Sequence, residues 1–138
     1  MPSSRHLAAI LFADIVGYTA LMHHDETLAL IKLHRFKEEL NVRVKEFGGD
    51  IIQYYGDGSL IVFHNAVNAV SCAKVLQEGF RNDPSVPARI GIHLGDIIFE
   101  EGNIFGDSVN ISSRIESMGV PGAVLLSDTI KEQIQNKP

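Results

Sequence analysis

Asp50-Ile51-Ile52-Gln53-Tyr54-Tyr55-Gly56-Asp57-Gly58-Ser59-Leu60-Ile61-Val62-Phe63 sets two runs of β-branched and aromatic residues around Gly-Asp-Gly. Asp-Gly between such runs is a strong hairpin signal, because both residues tolerate the positive φ of a tight turn that matches strand twist. The stretch predicts antiparallel strands over 50–55 and 59–63. A hairpin in mid-chain argues against a doubly wound parallel sheet, whose strands need long crossovers.

Working outward, residues 7–16 read as a first strand from their continuous apolar character. A short turn follows, with His23 and His24 in a loop, and Asp25 is placed to cap a long helix. Leu33, Phe36, Leu40, Val44 and Phe47 give that helix one apolar face, and Gly48-Gly49 ends it. Beyond the hairpin, Asn65 caps a helix with Val67, Val70, Ala73 and Leu76 inward, and residues 82–87 form a loop. Residues 88–99 return as a long strand in which Gly91 and Gly95 mark a bend or a close backbone approach. Residues 100–103 form a turn, and a helix starts at Asp107 or Ser108 and runs to about Met118. Residues 119–122 break that helix, 123–126 make a short strand, and Ser127 or Asp128 caps a last helix that reaches toward Pro138. The order predicts an α+β fold: a ferredoxin-like βαββαβ core with an added C-terminal helix-strand-helix, its mostly antiparallel sheet covered by helices.

The 138 residues suit one domain with a real core, and the net charge of −5, with no basic tract, argues against nucleic acid or an anionic membrane as the main partner. The N-terminus reads as neither a signal peptide nor a span of about 20 apolar residues, so no membrane insertion is expected of this segment. Cys72 is the one cysteine; no intrachain disulfide is possible, and a reducing cytoplasmic location is the simplest fit. The six histidines are scattered or side by side and form no zinc pattern.

Asp14, between Phe12-Ala13 and Ile15-Val16, is costly in an apolar strand unless a donor or a cation satisfies it. It reads either as a cap for the next turn or as a metal ligand. Asp57 is either a favoured turn residue or a second carboxylate at the same sheet end. Two carboxylates without Cys or His suit Mg²⁺ or Mn²⁺ and leave positions for phosphates. Gly17-Tyr18-Thr19 offers backbone N–H groups at a strand-to-helix turn, as a simple turn or as an anion seat. Asn110 and Arg114 share a helix face at i and i+4, as a solvated stripe or as a pair acting on a sugar and a phosphorus centre.

Four stretches taken together are far more specific than their parts: Leu11-Phe12-Ala13-Asp14-Ile15-Val16-Gly17-Tyr18-Thr19, Gly56-Asp57-Gly58, Arg89-Ile90-Gly91-Ile92-His93-Leu94-Gly95, and Phe105-Gly106-Asp107-Ser108-Val109-Asn110-Ile111-Ser112-Ser113-Arg114. In order and spacing they resemble the class III nucleotidyl cyclases, bacterial adenylate/guanylate type, over nearly the whole of residues 1–138. The resemblance implies a homodimer with composite sites, two Mg²⁺ or Mn²⁺ ions per site, and a nucleoside triphosphate substrate. It implies metal binding by Asp14, Asp57 and the Ile15 carbonyl, and phosphate binding by Gly17, Tyr18, Thr19 and Arg89. Asn110 would orient the ribose and Arg114 would stabilise the transition state, both from the other protomer. The reaction implied is attack of the 3′-hydroxyl on the α-phosphorus, giving a 3′,5′-cyclic nucleotide and pyrophosphate.

Two positions depart from the family's adenylate cyclases, which usually carry Lys where this chain has Gln53 and Asp where it has Asn103. Each amide both donates and accepts, so ATP is favoured only mildly over GTP, and a pyrimidine nucleotide stays open. The family also has a further C-terminal β-hairpin with a phosphate-binding Lys, and neither Lys131 nor Lys137 stands at that position. Fused or associated regulatory domains are a further expectation. The competing readings are a degenerate cyclase domain that binds without catalysing, and a generic ferredoxin-like dimerisation module; the latter leaves Asp14 and Arg114 unexplained.

Overall fold

The computed structural model describes residues 4–135, so Lys137 and the end of the last predicted helix lie outside the described residues. The elements are β1 (Ser4–Ile15), α1 (Tyr18–His24), α2 (Glu26–Glu46), β2 (Asp50–Tyr55), β3 (Gly58–Phe63), α3 (Ala66–Phe80), β4 (Ala88–Glu100), β5 (Asn103–Phe105), α4 (Asp107–Ser117), β6 (Val124–Leu126) and α5 (Asp128–Gln135). The sheet runs β2-β3-β1-β4-β5, with β6 against β4. The pairs are antiparallel except for β4 with β6. The ferredoxin-like core and the added helix-strand-helix are as expected.

Period-two alternation along β1 divides the core. Ala9, Leu11, Ala13 and Ile15 pack with Phe36 and Leu40 of α2, Leu76 and Phe80 of α3 and Ile130 of α5. Ala8 and Ile10 pack on the opposite face with Leu60, Val62, Ile97 and Ile104, and Val109 of α4 lies against them. Each large side chain buried this way contributes about 1.5–3 kcal/mol. Asp14 follows Ile10 and Phe12 in the alternation, which puts it on the α4 face.

Local signals account for the long helices. Asp25 Oδ1 accepts from Leu28 N–H at 3.1 Å at the start of α2, and Asn65 Oδ1 accepts from Asn68 N–H at 2.8 Å at the start of α3. Cys72 is buried in α3, and burial pushes its thiol up to about 12, so it stays protonated and unreactive.

Three expectations need correction. His23 and His24 end the short helix α1 rather than lying in a loop; α1 has seven residues, no buried side chain and no side-chain cap, so it carries no periodic pattern to read. Asn103 opens the strand β5, paired with Glu100, rather than closing a turn. Val67 is exposed and Val70 only half-buried, because α3 begins with Ala66 and Ala69 inward; Ala73 and Leu76 are buried as expected, beside Cys72 and Phe80. Among the described residues, no helix is long and apolar enough to cross a membrane.

Candidate active site

Asp14 stands near the end of β1, directly opposite Gly58 of β3 and Arg89 of β4. Asp57 occupies the turn between β2 and β3, and its backbone carbonyl accepts from Ile15 N–H at 3.0 Å. That bond fastens the hairpin turn to the end of β1 and brings the two carboxylates to one sheet end. Gly56 takes a φ of 54° there, a left-handed turn conformation that suits glycine. Asp14, Asp57 and Asn110 line one cleft of about 410 Å³ between this sheet end and α4. Phe12 and Tyr55 form an aromatic wall of the same cleft, stacked at 6.4 Å between centroids and 20° between planes.

Arg89 engages both oxygens of Asp14: Nε donates to Oδ1 at 3.1 Å and Nη2 to Oδ2 at 2.7 Å. Its Nη1 donates to the Ser117 carbonyl at 3.2 Å, and Nη2 lies 3.7 Å from the Glu116 carboxyl. The hydrogen bond to Asp14 leads the influences that raise the guanidinium's pKa further, so Arg89 is a fixed positive charge. Glu116 is a buried carboxyl of α4 that also lines the cleft. Burial first, and then the adjacent Asp14, push its pKa up to about 8, against a downward pull from Arg89.

That shift gives a stability prediction. A carboxyl that holds its proton in the folded state up to about pH 8, but releases it near its ordinary value when unfolded, stabilises the fold most at low pH. This contribution falls as pH rises through that window. In thermal melts between about pH 5 and 8, Glu116→Gln should show a flatter dependence of Tm on pH than the wild type; equal slopes would count against it.

The remaining sequence candidates are dispersed. Gly17 has a φ of 73° and starts α1 without a side-chain cap, which leaves the first-turn N–H groups of Tyr18 and Thr19 without helical partners. Arg114 is exposed one turn beyond Asn110 and does not line the cleft. Gln53 is exposed on β2 and Asn103 half-buried on β5, the two ends of the sheet path, and neither lines the cleft. Asn103 Oδ1 accepts from Ile104 N–H at 2.8 Å.

Sequence reading had not singled out Phe12, Tyr55 or Glu116 as site residues. The signals were there: Phe12 shares a strand face with Asp14, and Glu116 follows Val109 and Ser112 at helical spacing on the inward side of α4.

The donor set fits a hard divalent cation. Among the described residues no three His, Cys, Asp or Glu side chains gather as a complete shell. Two carboxylates in an open cleft suit an ion that takes its other ligands from carbonyl, water and substrate oxygens. The site also already holds positive charge, in the Arg89 guanidinium against Asp14.

The sequence model of the adenylate and guanylate cyclase catalytic domain matches residues 2–137. The chain belongs to that family. It is 41% identical to a Rhizobium meliloti protein provisionally named adenylate cyclase 3, over 96% of this chain and 24% of that one. It is 32% identical to an adenylate cyclase of Streptomyces coelicolor, over 91% of this chain and 34% of that one. The crystal structure of an adenylate/guanylate cyclase/hydrolase from Silicibacter pomeroyi superposes with a TM-score of 0.90 at 36% identity, covering 99% of this chain and 84% of that one. The chain thus spans about a quarter to a third of the curated relatives it matches. As a cyclase-family catalytic domain, it joins the end of β1 to the β2–β3 turn at one cleft, with α4 as the facing wall.

Proposed function

We propose that this domain is a nucleotidyl cyclase that converts a nucleoside triphosphate, ATP first, into its 3′,5′-cyclic nucleotide and pyrophosphate, working as a cytoplasmic homodimer. The observation that carries the reading is the convergence of Asp14 and Asp57 in one cleft. The relatives named adenylate cyclase support ATP as the substrate.

In this reading Asp14, Asp57 and the Ile15 carbonyl hold two Mg²⁺ or Mn²⁺ ions. When bound, these ions lower the pKa of the 3′-hydroxyl and neutralise phosphate charge. Arg89 and the N–H groups of Gly17, Tyr18 and Thr19 take the phosphates. Asn110 orients the ribose so that the 3′-oxygen faces the α-phosphorus; the new P–O bond forms as the bond to pyrophosphate breaks. Arg114 stabilises the charge that develops on the phosphorus oxygens. Asn110 and Arg114 serve the partner protomer's site, which accords with their exposure on α4. Gln53 and Asn103 read the base.

A second reading, GTP, is favoured by Asn103: with Oδ1 engaged by Ile104 N–H, its amide has the N–H₂ left as a donor, which suits guanine O6.

The test is to incubate the protein with ATP, GTP, CTP and UTP separately in Mn²⁺ and to identify the products. Cyclic AMP as the main product supports the first reading, and cyclic GMP the second. No turnover of any of the four by a full-length dimer sinks both in favour of a non-catalytic domain. Gln53→Lys with Asn103→Asp should raise the ATP-over-GTP preference about tenfold, since committed charges reject the wrong base better than amides do.

A further inference from the structure

We propose that Arg89 is a built-in counter-ion that competes with a divalent cation for Asp14. The inference rests on reading Asp14 as a cation ligand. The guanidinium fork takes both carboxylate oxygens, at 3.1 and 2.7 Å, which are the same two atoms a cation must reach. The side chains are only 28% and 21% exposed, so solvent screens the pair less than it would a surface ion pair. A cation entering there must displace N–H donors and approach a fixed positive charge.

The surroundings suit an arginine that changes partner. Nη1 is tied to the Ser117 carbonyl at 3.2 Å, and the Glu116 carboxyl lies 3.7 Å from Nη2. These contacts keep the guanidinium at the cleft wall when it leaves Asp14. What draws it away is another anion of matching shape, and a phosphate group presents the same pair of acceptor oxygens. A triphosphate that takes Arg89 therefore opens Asp14 to the cation, and by reciprocity a cation on Asp14 releases Arg89 to the phosphates. The pair keeps the carboxylate neutralised until both ligands arrive.

The test is a Mn²⁺ titration of the nucleotide-free protein, with the loss of the free-ion electron paramagnetic resonance signal as the readout. Arg89→Gln should bind Mn²⁺ about tenfold more tightly than the wild type, the size expected when a partly buried charged hydrogen bond stops competing. Arg89→Lys, which keeps the charge, should stay near the wild type. Asp14→Asn should lose the binding. If Asp14→Asn binds Mn²⁺ as the wild type does, the cation-site reading fails and this inference with it. If Asp14→Asn loses binding but Arg89→Gln gains none, the inference alone fails. A measurement on the wild type guards against a folding defect in the variants: in a Mg²⁺ titration the nitrogen resonance of Arg89 Nε should shift in step with the Asp14 carboxylate resonance. An unmoved Nε resonance while the carboxylate shifts overturns the competition.

Discussion

Asp57→Ala is expected to lower cyclic nucleotide formation about a thousandfold with almost no change in thermal stability. On the proposed role of Asp57, the loss follows from removing one of two carboxylates that would hold the cations, whose neutralisation of charge at the reacting phosphorus is worth several kcal/mol. The stability half follows from which atoms do the structural work. The hairpin turn is fastened to β1 by the backbone carbonyl of Asp57 accepting from Ile15 N–H at 3.0 Å, and the substitution leaves that bond in place. Asp14 would be a less clean target, since its loss strands the half-buried Arg89 guanidinium. Pyrophosphate release in Mn²⁺, read beside a melting curve, checks both halves. A rate within a few-fold of the wild type refutes the ligand role of Asp57.

Asp57 was also legible in the sequence. Gly-Asp-Gly between β-rich runs fixes a hairpin locally, and a hairpin after β-α leaves few topologies besides the ferredoxin-like one. The starts of α2 and α3 were readable for the same reason: Asp25 and Asn65 bond N–H groups three residues on, within the reach of a local pattern. The short helix α1 and the three-residue strand β5 exist by tertiary support. Tyr18 packs against the core and β5 pairs with the far end of β4, and neither fact leaves a periodic trace.

The site divides in the same way. The four motifs carried Asp14, Asp57, Asn110 and Arg114 into view through the family resemblance. The partner of Arg89 was hidden, because its bond to Asp14 spans 75 residues and depends on the register of β1 against β4. Ile51 was hidden in a similar way: a register shift between Ile51 and Gln53 sets Ile51 opposite Ile61, where strict pairing from the hairpin turn would put Val62.

Gly91 joins the fold to the site, and Gly91→Ala is expected to damage both. A Cβ built there would fall under 3.0 Å from the backbone N and Cα of Glu116, atoms of α4 itself that no side-chain rotation can withdraw. The helix would have to lift off β4. Ser112 Oγ donates to the Ile10 carbonyl at 2.7 Å in the buried seam between α4 and β1, so lifting the helix strains that bond as well. Overpacking of about 1–3 kcal/mol plus about 1 kcal/mol for the hydrogen bond gives roughly 3 kcal/mol. For a chain of this size that corresponds to a fall in Tm of about 10 °C. Because α4 carries Asn110 and Arg114, a displacement of about 1 Å should also cost about a hundredfold in turnover even where the protein remains folded. Gly79→Ala provides the contrast. Its added Cβ would meet the Glu39 carboxylate, the far end of a flexible side chain that can swing aside, so its melting point should fall far less. If Gly91→Ala melted with the wild type and kept its turnover, the close seat of α4 on β4 would not be what holds Asn110 and Arg114 in position.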